Sequence, residues 1–159
     1  MEGLVNTEDR ISHLPEALLL QILSLLPTKD VVATSVLSKQ WRSVWKMVPK
    51  LKFDYKSNRS KHETFSGIVC RLLLSHKAPV LESLHINFSP DDIDAAEIGM
   101  WIGIAYASQV RELVLDVYSD KGSSFKFPPR LYNCETLETF DTQDLGPCTC
   151  PFSGLPQVP

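Results

Sequence analysis

The side chains of this chain that could do chemistry are few and scattered. Cys148-Thr149-Cys150 sets two thiols one residue apart, which suits a soft metal such as zinc, but no histidine or further cysteine follows to complete a ligand set. Asp91, Asp92 and Asp94 could gather oxygen ligands around a cation. Acids also sit well at the positive end of a helix, and that simpler role is the one expected. His13, His62, His76 and His85 lie near no cysteine or serine in a recognisable nucleophile setting, and no glycine-rich phosphate loop occurs. The expectation is therefore a chain with no catalytic residues, no metal ligands and no cofactor, and not an enzyme. His76 is expected at a helix end and His85 on a strand face.

The 159 residues suit one domain or two small ones, and 43% hydrophobic with 22% charged residues is ordinary for a globular chain. A net charge of −3 argues against a nucleic-acid binder taken as a whole. The charge is uneven, however. From Lys29 to Lys61 nine Lys or Arg stand against Asp30 and Asp54 alone, which favours an acidic partner surface or phosphates. The start, MEGLVNTEDR, lacks the basic-then-apolar order of an export signal. The longest apolar stretch, Ala17 to Leu26, is broken by Gln21 and Ser24 and is too short to span a bilayer. A cytoplasmic or nuclear place is expected, without membrane contact, and with Cys70, Cys134, Cys148 and Cys150 as free thiols. The glycosylation triplets Asn58-Arg59-Ser60 and Asn87-Phe88-Ser89 carry little meaning there.

The elements that would position these residues begin at Ser12-His13-Leu14-Pro15-Glu16, which reads as a helix start. Ser12 is the expected cap, Pro15 suits the first turn, and Glu16 meets the positive end of the helix. Leu14, Leu18, Ile22, Leu25 and Leu26 recur at helical spacing until Pro27, while Leu19, Leu20 and Leu23 point elsewhere. Such a helix is apolar nearly all round and must be covered on more than one side. Thr28 is the expected cap of a short second helix through Val31, Val32 and Val36. Ser38 is the cap of a third carrying Leu37, Trp41, Val44, Trp45 and Val48, with Lys39, Gln40, Arg42, Ser43 and Lys46 on its wet face. About forty residues cannot build a core that covers so much apolar surface. Either the rest of the chain or another protein must do so.

The stretch DRISHLPEALLLQILSLLPTKDVVATSVLSKQWRSVWKMVPKLKFD is similar to the F-box of a large plant family in which the F-box precedes leucine-rich repeats and an FBD-type segment. The matching pieces are Asp9-Arg10-Ile11-Ser12, Leu14-Pro15, Ile22-Leu23-Ser24, Leu26-Pro27-Thr28-Lys29, Thr34-Ser35-Val36-Leu37-Ser38-Lys39 and Trp41-Arg42-Ser43-Val44-Trp45. Gln40 stands where Arg is usual in that family. The resemblance implies a module that binds a Skp-type adaptor and, through it, a cullin scaffold. On the family pattern Leu14, Pro15, Leu18, Ile22, Leu26 and Pro27 would face the adaptor, with Leu37 and Trp41 helping. It also implies an acidic adaptor surface, to which Lys29 to Lys46 is complementary.

Beyond a polar, basic stretch at Lys56 to His62 that reads as a linker, two amphipathic helices are expected. One runs from Phe65 through Ile68, Val69, Leu72 and Leu73 to near His76. The other runs from about Asp94 to Ser108 through Ile98, Trp101, Ile102 and Ala105. Val48-x-x-Leu51-x-Phe53, Leu81-x-x-Leu84-x-Ile86 and Val110-x-x-Leu113-x-Leu115 share one pattern, that of a leucine-rich-repeat strand, the second and third copies being 29 residues apart. HKAPVLESLHINF and VRELVLDVY resemble the repeats of the same plant family. A fourth copy begins at Leu137, 27 residues after Val110, then gives way to Asp141, Thr142 and a proline-rich tail. Back-translated with free choice of synonymous codons and moved one base forward, that tail permits LTLKTLVLVHVPFPVCLKS, a leucine-rich continuation; the degeneracy of the code makes this permitted, not forced.

The expected architecture is α+β. Residues 1–8 are expected to be disordered, 9–55 to form a three-helix F-box, and 56–139 to form the first units of a leucine-rich-repeat solenoid. Residues 140–159 are expected to be a disordered, frame-shifted tail. The expected role is the substrate-adaptor subunit of a Skp–cullin–F-box ubiquitin ligase, docking through the F-box, with recruitment of its unknown protein substrate impaired by a truncated repeat array. Two alternatives stand beside it: a fragment or pseudogene product that only occupies the adaptor, and a nucleic-acid-binding helical module.

Overall fold

A computed structural model describes residues 11, 13–57, 63–89 and 93–117, and the backbone of 139–141. Helix α1 (Glu16–Leu23) opens without a side-chain cap, because Pro15 holds the cap position and its carbonyl accepts from Leu18 and Leu19 N–H. It stops at Leu23, not at Leu26 where the leucine pattern ends. Leu25 and Leu26 N–H reach only three residues back, to Ile22 and Leu23, and the Ser24 hydroxyl donates to the Leu20 carbonyl at 2.7 Å.

Helix α2 (Thr28–Ala33) corrects another expectation. Pro27 holds its cap position, and the Thr28 hydroxyl, 1% exposed, accepts from Lys52 N–H at 2.7 Å instead of capping the helix. A tight 3-10 turn, Thr34–Val36, follows, closed by Thr34 Oγ1 donating to the Val31 carbonyl. Ser38 does cap α3 (Lys39–Val44), accepting from Trp41 N–H, and the chain continues as a 3-10 turn, Trp45–Met47. Trp41, Val44, Trp45 and Val48 are buried, while Lys39, Gln40, Arg42 and Ser43 are exposed.

Strands β1 (Lys50–Asp54), β2 (Ser83–Phe88), β3 (Glu112–Val117) and β4 (Thr139–Asp141) form one parallel sheet in sequence order. The shared apolar pattern becomes the register: Leu51 pairs with Leu84, which pairs with Leu113, and Phe53 with Ile86, then Leu115. These six side chains are at most 2% exposed. Strand alternation sends Lys52, His85 and Val114 to the opposite, open face.

Parallel neighbours need crossovers, supplied here by α4 (Phe65–Ser75) and α5 (Ala95–Ala107). Thr64 caps α4 by accepting from Gly67 N–H. Asp94 and Glu97 form a reciprocal capping box on α5. The two helices bring Val69, Leu72, Leu73, Ile98, Ile102 and Ala105 into the core shared with the strands. Trp101 stands edge-on to both Phe65 and Phe88, with centroids 5.7 Å away in each case, and its Nε1–H donates to the buried Ser66 hydroxyl at 3.1 Å.

The expected end of order at Thr139 is also corrected. Strand β4 runs to Asp141, with Phe140 in register with Leu113. Strand pairing is made by backbone groups, and Asp141, in register with Val114, takes a position that the repeat pattern leaves open to polar residues. Ser12, most of the Lys56 to His62 linker, Asp91, Asp92, Leu137, and the expected disordered ends lie outside the described residues, the tail from residue 142 onward.

Candidate functional site

Helix α1 is apolar on two sides, and only one is covered. Leu19 and Leu23, at i and i+4, are in the core at 0% and 1% exposure. Leu18 and Ile22, the next i, i+4 pair, are 44% and 45% exposed, and Leu25 beyond them is 85% exposed. Ile11 before the helix, Leu26 after it, and Val36 and Leu37 before α3 add further exposed apolar side chains. Single exposed apolar residues are ordinary in a folded protein, but a concentration of this kind on a few adjoining elements makes them a candidate interaction surface.

The residues expected to dock divide accordingly. Leu18, Ile22 and Leu26 are open, and Pro15 and Pro27 are exposed at the two ends of the α1 segment. Leu14 is half-buried against the core. Leu37 is exposed because it precedes the Ser38 cap and never joins the helical stripe of α3. Trp41 departs from the expectation: at 4% exposure it packs inside, so its contribution is to hold α3, with little surface left for a partner. Ile11, Leu25 and Val36 are exposed beside them but are not among the expected contacts, although Leu25 belongs to the leucine periodicity. Lys29, Lys39 and Arg42 are exposed on the same elements.

The family model of the F-box domain matches residues 11–53, which contain all of these positions. An F-box/LRR-repeat protein of Arabidopsis thaliana is 70% identical over 132 residues, 83% of this chain and 43% of that protein. An F-box/FBD/LRR-repeat protein of the same plant is 59% identical over 138 residues, 83% of this chain and 29% of the relative. An FBD-associated F-box protein, also from Arabidopsis, is 57% identical over 132 residues, 83% and 31% of the two chains. The chain is a plant F-box protein. It spans less than half the length of these relatives. No solved structure matches it.

Specific bonds hold the F-box helices to β1 and to the chain that follows it. Besides Thr28 on Lys52, Glu82 N–H donates to the Pro49 carbonyl at 2.9 Å, and Lys77 N–H to the Lys46 carbonyl at 2.8 Å. Lys29 Nζ donates to the Ser57 carbonyl at 3.0 Å. His76, at the end of α4, makes a 2.8 Å contact with the Val48 carbonyl through Nε2; a carbonyl only accepts, so Nε2 carries the proton. Burial holds the His76 pKa below the ordinary imidazole value, against the opposing pull of that bond.

Two other chemistry-bearing residues, His85 and Cys70, have structural surroundings. His85 and Asp116 pair across β2 and β3 on the open sheet face. Burial pushes the Cys70 thiol up, away from reactive thiolate. Among the described residues no group of His, Cys, Asp or Glu is placed to hold a metal ion, and no helix is long and apolar enough to cross a membrane.

Proposed function

We propose that this chain is the substrate-adaptor subunit of a Skp–cullin–F-box ubiquitin ligase. The F-box docks on a Skp-type adaptor, which links it to a cullin, and the strand–helix repeats, of leucine-rich type, receive a protein client. Ubiquitin transfer then belongs to other subunits, so the chain needs no catalytic residue, metal or cofactor of its own. The reading places it in the cytoplasm or nucleus.

The observation that carries this reading is the open apolar side of α1, Leu18, Ile22 and Leu25, within the F-box match. Full burial of each such side chain contributes about 1.5–3 kcal/mol, so a partner that covers them gains what the free chain leaves in water. Lys39 and Arg42 on α3 would complement acids on that partner. The nucleic-acid alternative is less well supported, because Trp41 and Trp45, the aromatics that could stack on bases, are buried.

The test is a calorimetric titration of the full chain with a purified Skp-type adaptor, with duplex DNA titrated in parallel at rising salt. A one-to-one adaptor complex and weak, salt-suppressed DNA binding are expected. A folded chain that forms no adaptor complex overturns the proposal. Tight DNA binding with a steep salt slope would favour the alternative.

A further inference from the structure

A groove of about 890 Å³ runs between α1 and the N-terminal rim of the sheet. Ile22 and Leu25 form one wall; Met47, Pro49, Pro79 and Val80 contribute to the other. Pro79 and Val80 lie in the loop between α4 and β2, outside residues 11–53 that match the F-box. Lys50, Glu82 and Arg111, from the starts of the three longer strands, add charge to the lining. Apolar side chains beside charged ones are the make-up of a protein-docking surface.

We propose that the partner docked on the F-box continues into this groove, so that its interface includes the first strand–helix unit as well as the F-box. The inference rests on the docking function proposed above and extends it. Its basis is continuity: Ile22 and Leu25 belong at once to the open side of α1 and to the groove wall, so a protein that covers them lies across the groove mouth. The fitting occupant is a segment of that same adaptor, apolar toward Ile22, Leu25 and Val80 and acidic opposite Lys50. The groove is bounded by both units, so filling it fixes how the repeat sheet is held relative to the ligase scaffold.

The test uses the full chain and a purified Skp-type adaptor. Val80→Glu places a charge in the groove and leaves every F-box residue unchanged; it should weaken the complex about tenfold or more, and Val80→Ala by less. Lys50→Glu should weaken it as well. A benzoylphenylalanine photo-crosslinker at the exposed Pro79 should form a covalent adduct with the adaptor, a readout that does not depend on the charge variants folding. If Leu18→Asp abolishes binding while Val80→Glu and Lys50→Glu stay within about twofold, and position 79 gives no adduct, the interface is confined to the F-box and this inference is overturned. If the unaltered chain binds no adaptor, the docking function itself fails and the inference falls with it.

Discussion

His76 shows how one side chain couples the two units. Its Nε2–H bonds to the Val48 carbonyl at the end of the F-box, and burial favours its neutral form. The folded pKa lies below the unfolded one, so the unfolded chain binds the proton more readily. The stability that His76 contributes is full above the ordinary imidazole value of about 6.5 and is lost as pH falls through the lower folded value. His76→Gln keeps a side-chain donor for Val48 and removes the titration. Urea midpoints measured from pH 7.5 to 5 should fall more for the parent than for this variant, since carboxylates common to both cancel in the difference. Parallel curves would contradict the assignment. The role of His76 was legible only as a position near a helix end, because nothing in its neighbours along the chain announces the carbonyl of Val48. Trp41 and Leu37 mark the same limit. Both fit one helical stripe in the sequence, yet the Ser38 cap leaves Leu37 outside the helix while Trp41 turns inward.

Elements were legible where a period repeats and less so at their ends. The three-fold pattern around Leu51, Leu84 and Leu113 gave the strands and their register, since alternation must send the same positions to the covered face. The amphipathic spacing of Phe65 to Leu73 and of Ile98 to Ala105 gave α4 and α5. The end of α1 and the start of α2 were misplaced because prolines and tight turns, not the apolar period, set them. Thr28 is the instructive case. Its sequence position suits a helix cap, but tertiary context gives the hydroxyl to Lys52 N–H on β1. Helix α2 thus occupies a backbone donor of β1, the first strand of the sheet, which suits the protection of an edge. Thr28→Val keeps the shape and removes the acceptor, and should cost about 1–3 kcal/mol, the penalty of a buried donor left unpaired. Denaturant unfolding followed by circular dichroism would read it. A variant as stable as the parent would mean that Lys52 N–H finds another partner.

At the scale of the molecule, the F-box and the sheet share one set of buried residues, from Leu19 and Trp45 through Phe53 to Leu115. They should therefore unfold together, with far-ultraviolet dichroism and tryptophan fluorescence giving coincident transitions; separated midpoints would show that the F-box melts as its own unit. The covered core was legible in the sequence, and so was the excess of leucine on α1. Which leucines remain open was not, because an apolar residue that packs within its own chain and one that waits for a partner look alike in a period. The proposed docking rests on that open side. Its most direct test is a calorimetric titration of a Skp-type adaptor into the Leu18→Ala/Ile22→Ala double variant, with Leu74→Ala, a still more exposed apolar site on α4, as the control. Each buried anchor lost should cost roughly 2 kcal/mol or more, so the double variant should bind at least a few hundredfold more weakly while Leu74→Ala binds like the parent. Unchanged affinity in a double variant of intact helicity would contradict the docking face.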